Sequence, residues 1–356
     1  MYKLFRTENY MEIIKVTHSG GEYNIYAGEN ILKEALERFF DGHRYDRVFL
    51  VTDSNVDKLW KDSFLAELKD IGRQAEGVFV FKAGELNKRL STVSGMYAEF
   101  SAAKLTRKSL VIALGGGVCG DMAGFAAATY LRGIDVLQVP TTLLSQIDSS
   151  IGGKTGVDLD IGKNLVGAFH QPAAVIADSK FLDTLPERYI NDGMGEAVKY
   201  GCIADETLFH GIASRSIDRA DMIARCMKIK ADVVMDDEFE QGRRAILNYG
   251  HTIGHAVEKL GGFEKYSHGE SVGIGMLYAA RIGAVMGFDG GLEDKIRNAL
   301  IAWNMPTETD HPKDKLIEIA SSDKKRTADD LKFIFVDRPG NAVIKEIPLS
   351  LLAKCL

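Results

Sequence analysis

The sequence lacks the features that mark secreted, membrane and nucleic-acid-binding proteins. Its 356 residues include only four cysteines and no Cys-x-x-Cys pair, which argues against a disulfide framework and a thiolate zinc site. No segment reaches the roughly 18 uninterrupted apolar residues of a membrane span, and the first residues lack a signal-peptide core, so we expect a cytoplasmic protein. The net charge of −6 gives no general attraction for nucleic acid or for an anionic membrane.

Length and composition predict a globular protein of two domains. A content of 46% hydrophobic and 26% charged residues is typical of a globular protein, and the chain is too long for one ordinary core. Strand-like and helix-like runs alternate up to about Thr184, which predicts parallel strands joined by right-handed crossovers. We therefore predict an α/β, Rossmann-like nucleotide-binding domain over 1–184 and a mostly α-helical domain over 185–356.

Within these domains the apolar spacing predicts particular elements. EIIKVT and EYNIYAG alternate as the strands of a hairpin would, and AAVIAD at 173–178 is expected to close the sheet. In the second domain strand-like runs nearly vanish until KFIFV at 332–336. Helices are predicted there over 187–211, 217–236, 243–260, 268–286, 291–303 and 312–321.

The stretch from Leu110 to Asp158 carries a nucleotide-binding signal. SLVIAL predicts a buried strand, and GGGVCG after it fits the spacing in which amide groups at a helix N-terminus hold a pyrophosphate. A tight turn without a ligand explains the glycines equally well. Polar residues at the carboxyl ends of strands shift the balance, because open α/β sheets bind ligands there. They are Asp53, Asn55, Thr141, Thr142, Asp148, Lys154, Lys163 and Asn164. Asp53 itself has two interpretations, a helix cap and an acid that accepts a ribose hydroxyl.

Histidines and a carboxylate in the second half predict a metal site. His251 and His255 lie at i and i+4 on one side of one helix, and such a pair often ligates zinc. With His268 and Glu196 they supply a His₂Glu set, the ligand type of a catalytic zinc that keeps positions open for substrate. The spacing leaves open which histidine of the HTIGH pair binds the ion.

Basic residues occur in the same segments as the metal candidates. They are Lys199, Lys230, Arg244, Lys324 and Lys325. Each alone is typical of a solvated surface charge, but Lys199 lies three residues after Glu196 and Arg244 lies seven before His251, which predicts shared helix faces. Cations around a metal in an acidic protein indicate a substrate with more than one negative charge.

Seven motifs together resemble the 3-dehydroquinate synthase family, in the expected order over roughly residues 47–336. They are GGGVCGDMAGFAAATYLRG, VPTTLLSQIDSSIGGKTGVD, GKNLVGAFHQP, LPERYINDGMGEAVKYG, RRAILNYGHTIGHAVE, HGESVGIGM and DKK. The resemblance implies the second step of the shikimate pathway, which leads to aromatic amino acids. In it, 3-deoxy-D-arabino-heptulosonate 7-phosphate, a sugar acid phosphate, is cyclised to 3-dehydroquinate with loss of phosphate.

The same resemblance implies cofactors and assembly. Enzymes of this family use catalytic NAD and a divalent metal, zinc or cobalt, at an active site between the two domains, and they are typically homodimers. Glu196, His251 and His268 would be the metal ligands, and His255 would act in substrate binding and proton transfer. The residues implied for NAD are Asp53, Asn55, Glu85, Lys88, Gly116, Gly117, Asp121, Thr141, Thr142, Lys154, Lys163 and Thr184.

The resemblance also implies how the substrate is held. The phosphate would be surrounded by Lys154, Asn164, Lys199 and His255, with Arg132 from the neighbouring subunit. The carboxylate end would be held by Lys230, Arg244, Asn248 and Lys324, with the choice between Lys324 and Lys325 open. Asp148 would bind a hydroxyl, and Glu240 would be a second proton acceptor. Gly195, where many relatives have alanine, is expected to loosen the helix that presents Glu196.

Three rival functions share parts of this pattern. Another sugar phosphate cyclase, such as 2-deoxy-scyllo-inosose synthase, would act on glucose 6-phosphate, which has no carboxylate for Arg244 and Lys324. A metal-dependent alcohol or glycerol dehydrogenase would carry out net redox and accumulate NADH. A non-enzymatic relative would use the scaffold for binding alone. Asp121, the string DSSIGGKTGVD and Asn248 favour dehydroquinate synthase.

Overall fold

The computed structural model describes residues 11–262, 264–322, 326–327 and 330–355. The chain forms two compact units, the first up to Leu185 together with Lys230–Phe239, the second comprising Pro186–Ile229 and the residues from Glu240 onward. The division after Thr184 was predicted from where the alternation of strand-like and helix-like runs ends. It differs from the observed units at Leu185 and in residues 230–239, which belong to the first.

The strands of the first unit form a mostly parallel sheet and a separate antiparallel pair. Their bounds are β1 (Met11–His18), β2 (Gly21–Gly28), β3 (Val48–Asp53), β4 (Gly77–Phe81), β5 (Leu110–Gly115), β6 (Asp135–Pro140), β7 (Lys154–Leu159), β8 (Gly162–Phe169) and β9 (Ala174–Asp178). Among the described residues, a seven-stranded sheet has the order β1-β2-β9-β6-β5-β3-β4, and β7 and β8 pair separately. The hairpin β1–β2 is antiparallel and every other neighbouring pair in the large sheet is parallel, as predicted.

Helices cover both faces of this sheet. They are α1 (Leu32–Gly42), α2 (Ser54–Val56), which continues through a π-helical turn at Asp57–Lys61 into α3 (Asp62–Asp70), then α4 (Leu90–Ala102) and α5 (Gly117–Thr129). Strands β3, β5 and β6 are mostly apolar because both of their faces are largely buried. Leu50 and Ile112 pack into the core on one face, and Phe49 and Val111 into the core on the other. The α/β, Rossmann-like prediction is confirmed.

One strand does not lie where the sequence predicted. AAVIAD was expected to close the sheet, but β9 lies between β2 and β6, and β1 and β4 are the edges of the described sheet. All five residues of β9 are buried, as a central strand requires. That prediction was therefore wrong, since the antiparallel hairpin extends the sheet beyond β9.

The second unit is mostly helical, as predicted. Its elements are α6 (Glu187–Ala204), α7 (Glu206–Ala213), α8 (Arg219–Asp236, of which the residues from Lys230 belong to the first unit), α9 (His251–Leu260), α10 (His268–Val285), α11 (Leu292–Ala302), α12 (Lys313–Ser322), β10 (Arg326–Thr327), β11 (Asp330–Arg338), β12 (Asn341–Pro348) and α13 (Leu349–Cys355). Strands β10, β11 and β12 form a small antiparallel sheet. None of the described helices is both long enough and apolar enough to cross a bilayer.

Two predicted helices are interrupted. The helix predicted over 187–211 breaks at Asp205, whose side chain accepts the backbone N–H of Leu208 and caps α7. The helix predicted over 243–260 is a 3₁₀ segment, Arg243–Asn248, followed by α9. Gly250 separates the two in the left-handed conformation, with φ of 81°, which glycine adopts without strain.

Candidate functional site

Three side chains of the second unit converge on one point. Glu196 lies in the middle of α6, His251 is the first residue of α9, and His268 is the first residue of α10. Each offers one ligand atom, and these atoms lie within 4.8 Å of one another. Oε1 of Glu196 is 3.4 Å from Nε2 of His251 and 3.4 Å from Nε2 of His268.

The carboxylate of Glu196 fits a divalent cation. Its side chain is fully buried, Oε2 forms a close ion pair with Lys199, and Oε1 has no hydrogen-bond partner among the described residues. A buried carboxylate oxygen without a donor is costly unless a cation completes its environment. Two imidazole nitrogens and one carboxylate oxygen form the donor set of a catalytic zinc site. The residues present therefore fit a metal.

The two imidazoles are oriented by their other nitrogens. Nδ1 of His251 lies 3.2 Å from the carbonyl oxygen of Tyr249, and Nδ1 of His268 lies 3.4 Å from Oε2 of Glu258. Burial and the positive charge of Lys199 hold the pKa of His251 well below its usual range. Burial also lowers the pKa of His268, but the carboxylates of Glu196 and Glu258 outweigh it and raise that pKa to about 10.

Glycine contacts bring the helices of this cluster together. A Cβ at Gly195 would lie 2.2 Å from the carbonyl oxygen of Gly269, and a Cβ at Gly269 would lie 1.8 Å from that of Asp192. The N–H of Gly269 also donates to Oδ1 of Asp192 at 2.7 Å. Helix α6 runs unbroken past Gly195, and this glycine permits close approach to α10. The loosening of the helix that carries Glu196 stays a prediction.

The structure also describes other predicted residues of the second unit. The His255 side chain is exposed, and its ring centroid is 5.3 Å from that of His251. Asn248 donates from Nδ2 to Oε1 of Glu240 at 3.0 Å, and Arg244 is buried in the same 3₁₀ segment as Asn248. Lys324 and Lys325 lie outside the described residues, so the choice between them stays open.

The glycine turn of the first unit fits a nucleotide phosphate. Gly116 is the N-cap of α5, and no side chain caps that helix. Helix N–H groups without a cap bind anions. Thr141 follows the adjacent strand β6, and its buried Oγ1 has no partner among the described residues. A Cβ at Gly117 would lie 3.0 Å from Oγ of Ser149. A residue larger than glycine at position 117 would therefore reduce the space at the turn between β5 and α5.

Asp53, the last residue of β3, has hydrogen-bond partners of its own. Asp53 caps α2, because its Oδ1 accepts the N–H groups of Asn55 at 2.8 Å and Val56 at 3.2 Å. Oδ2 of Asp53 would lie 3.4 Å from a Cβ at Gly115, so the same carboxylate also faces the glycine turn. The capping interpretation is therefore correct, and the ribose role of Asp53 stays a prediction.

An ion-pair network centred on the buried Lys88 includes Asp121 of α5. Nζ of Lys88 donates to Oδ2 of Asp121 and to Oδ1 of Asn164, both at 2.6 Å. Lys163 lies 3.8 Å from Oε1 of Glu85. Burial raises the pKa of both Asp121 and Glu85, and the Lys88 ammonium partly offsets that rise. Five of the residues predicted from the resemblance are thus brought together.

The structure also describes the remaining predicted residues of the first unit, each in its own surroundings. Asp148 forms a close ion pair with Lys230. The Thr184 hydroxyl accepts a hydrogen bond from Nε1 of Trp60 at 2.8 Å. Lys154 is exposed at the start of β7, and Arg132 is exposed with a left-handed backbone, φ 69°. Roles for these residues stay predictions.

Solved structures with this architecture define the class of protein. A 2-deoxy-scyllo-inosose synthase, solved in complex with carbaglucose-6-phosphate, NAD⁺ and Co²⁺, is 27% identical with a TM-score of 0.83, covering 97% of this chain and 99% of its own. A glycerol dehydrogenase from Sinorhizobium meliloti, described as probable, shares the fold at 15% identity and a TM-score of 0.59, covering 92% and 93% of the two chains. The fold is that of the sugar phosphate cyclases.

Sequence relatives identify the family within that class. Family models described as the 3-dehydroquinate synthase N-terminal and C-terminal regions match residues 78–192 and 193–326. The 3-dehydroquinate synthase of Symbiobacterium thermophilum is 44% identical over 90% of this chain and 93% of its own length. That of Clostridium acetobutylicum is 39% identical over 95% and 97%. The chain belongs to the 3-dehydroquinate synthase family and is an enzyme.

Proposed function

We propose that this enzyme cyclises 3-deoxy-D-arabino-heptulosonate 7-phosphate to 3-dehydroquinate and releases phosphate, with NAD and a divalent metal, zinc or cobalt, as cofactors. NAD binding is proposed for domain 1–184 and metal binding for domain 185–356. The observation that carries the proposal is the unpartnered Oε1 of Glu196 facing two imidazole nitrogens. It occurs in a chain that matches both halves of the family.

Glu196, His251 and His268 would hold the metal. The ion, when bound, acts as a Lewis acid that acidifies substrate hydroxyls. Lys199 pairs with the other oxygen of Glu196, which fixes the orientation of the carboxylate. His255, exposed beside His251, is proposed to accept or return a proton of the substrate.

The first unit would bind NAD at the carboxyl ends of its strands. NAD held there would supply reversible hydride transfer with no net oxidation. The uncapped N-terminus of α5 at Gly116 and Gly117 offers N–H groups to the pyrophosphate. The Thr141 hydroxyl, buried without a partner among the described residues, supplies a further donor. The Lys88–Asp121–Asn164 network fixes the wall of this site.

The substrate contacts rest on the family resemblance and on charge. An acidic protein with buried cations such as Arg244 and Lys199 favours a doubly anionic substrate. The proposed phosphate set is Lys154, Asn164, Lys199, His255 and Arg132. The proposed carboxylate set is Lys230, Arg244, Asn248 and Lys324, with Asp148 on a hydroxyl and Glu240 as a second proton acceptor.

The experiment supplies the heptulosonate phosphate with NAD and zinc, and measures inorganic phosphate, the carbocyclic product and NADH absorbance. We expect phosphate and carbocycle in equal amounts without accumulation of NADH. Glu196→Gln should abolish the reaction, whereas Glu293→Gln, a change to a carboxylate that pairs with Arg281 in the same unit, should leave it intact. Turnover of glucose 6-phosphate instead, or net NADH formation, would contradict the proposal.

We also propose a cytoplasmic homodimer. Cys119, Cys202 and Cys226 are buried and form no disulfide bonds, as in proteins of reducing compartments. Arg132 is proposed to enter the neighbouring subunit's site, so Arg132→Ala and Glu196→Gln chains, each inactive alone, should recover activity when mixed, because one site per mixed dimer is intact. No recovery, or a monomeric mass by light scattering, would contradict the dimer.

A further inference from the structure

The two histidines of the metal cluster are held by acceptors of different kinds. Nδ1 of His251 lies 3.2 Å from a backbone carbonyl oxygen, that of Tyr249. Nδ1 of His268 lies 3.4 Å from a side-chain carboxylate oxygen, Oε2 of Glu258. A backbone carbonyl is fixed by the fold, whereas a carboxylate also brings a negative charge. The environment of His268 therefore depends on one further residue.

Glu258 lies outside the predicted ligand set and faces the far edge of the ring. It is on α9, seven residues after His251, and its side chain is only 11% exposed. It contacts Nδ1 of His268, while Glu196 lies on the Nε2 side of the same ring. A carboxylate on the opposite edge cannot share the ion with Nε2. Burying it is unfavourable unless it has a partner such as the imidazole N–H.

We propose that Glu258 is a positioning residue for the metal, and the inference rests on the proposed metal-dependent function. Its carboxylate accepts the Nδ1 proton of His268, which fixes the tautomer and leaves the lone pair of Nε2 directed at the ion. The negative charge of the Glu258 carboxylate also makes Nε2 a stronger electron-pair donor to the metal. His251 needs no such residue because the carbonyl of Tyr249 performs the same orientation.

The test compares Glu258→Gln and Glu258→Ala with the wild-type protein, and Glu293→Gln serves as the control for loss of a carboxylate elsewhere in the unit. Zinc affinity is measured by competition with a chromophoric chelator, and the Co²⁺ ligand-field spectrum reports ligand geometry. We expect Glu258→Ala to weaken zinc binding roughly 10- to 100-fold and to alter the Co²⁺ bands. Glu258→Gln keeps an acceptor oxygen, so it should lose less zinc affinity than Glu258→Ala. Its Co²⁺ band positions should also stay closer to those of the wild-type protein.

The outcomes separate this inference from the proposed function. Wild-type zinc affinity and an unchanged Co²⁺ spectrum in both Glu258 variants would overturn the inference and leave the metal site intact. An equal loss of affinity in Glu293→Gln would also overturn it, because the effect would then be general. Absence of Co²⁺ binding by the wild-type protein would overturn the metal site itself. Circular dichroism of each variant ensures that folded proteins are compared.

Discussion

Replacing Lys88 with methionine removes the cation of a buried network and keeps the volume of its side chain. The lysine side chain is 5% exposed and that of Asp121 is 19% exposed, so water screens the pair little. The ammonium also donates to Oδ1 of Asn164 at 2.6 Å. The substitution leaves a buried carboxylate without its counter-ion, which is the change that makes broken buried ion pairs costly.

We expect Lys88→Met to lower the free energy of unfolding of the first unit by about 3 to 5 kcal/mol. For a unit of this size that corresponds to a fall in Tm of roughly 6 to 20 °C. The matched control is Lys33→Met, whose pair with Asp70 is 49% and 65% exposed. An exposed pair contributes about 0 to 1 kcal/mol, so this control should unfold close to the wild type.

The penalty should depend on pH with a defined sign. Burial raises the pKa of Asp121, and Lys88 counters the rise, so removal of the lysine raises this pKa further. The folded variant then binds a proton more readily than its unfolded chain, and its stability falls as pH rises from the unfolded pKa towards the folded one. The difference from wild type should therefore be smaller at pH 5 than at pH 8.

The assay is differential scanning calorimetry without nucleotide, because a bound ligand would add stability of its own. Adding Asp121→Asn to Lys88→Met should restore part of the loss, since the amide carries no uncompensated charge. A Lys88→Met protein that unfolds at the wild-type temperature, or a double variant no more stable than the single one, would refute the reasoning.

Two further changes test other parts of the structure. Gly269→Ala places a Cβ 1.8 Å from the carbonyl oxygen of Asp192. It should lower the free energy of unfolding by about 1 to 3 kcal/mol and weaken zinc binding in chelator competition. The control Gly290→Ala, whose Cβ meets no atom within 4 Å, should do neither. Wild-type zinc affinity in Gly269→Ala would contradict the close helix contact. Asp178 accepts four backbone N–H groups around the start of α1 and after β9, so Asp178→Ala should lower the unfolding free energy of the first unit by at least about 1 to 2 kcal/mol in urea titrations. An unchanged midpoint would show that those donors are satisfied in another way.

Local patterns in the sequence predicted the elements and the residue types of the site. Short, mostly apolar runs identified β3, β5 and β6, because strands buried on both faces need mostly apolar side chains. The alternation in β1 and β2 predicted their hairpin. The Glu196, His251, His255 and His268 set was recognised because few other residue types bind zinc.

Features that depend on contacts between distant parts of the chain could not be predicted from such local patterns. The place of β9 between β2 and β6 depends on strand order, which its own residues do not encode. Helical spacing continues across Asp205, so only its capping bond reveals the break. The pairing of β7 with β8 was not predicted, because both strands lie in a glycine-rich stretch whose composition is typical of a loop. Glu258 was missed because its role depends on how α9 packs against α10, although its i+7 spacing from His251 is a signal in hindsight.

The most direct test is a crystal structure of the protein grown with zinc and NAD, with anomalous data collected at the zinc absorption edge. We expect one anomalous peak within about 2.0 to 2.2 Å of Oε1 of Glu196 and of Nε2 of both His251 and His268. A peak at other residues, or an ion bound through His255 in place of His251, would contradict it.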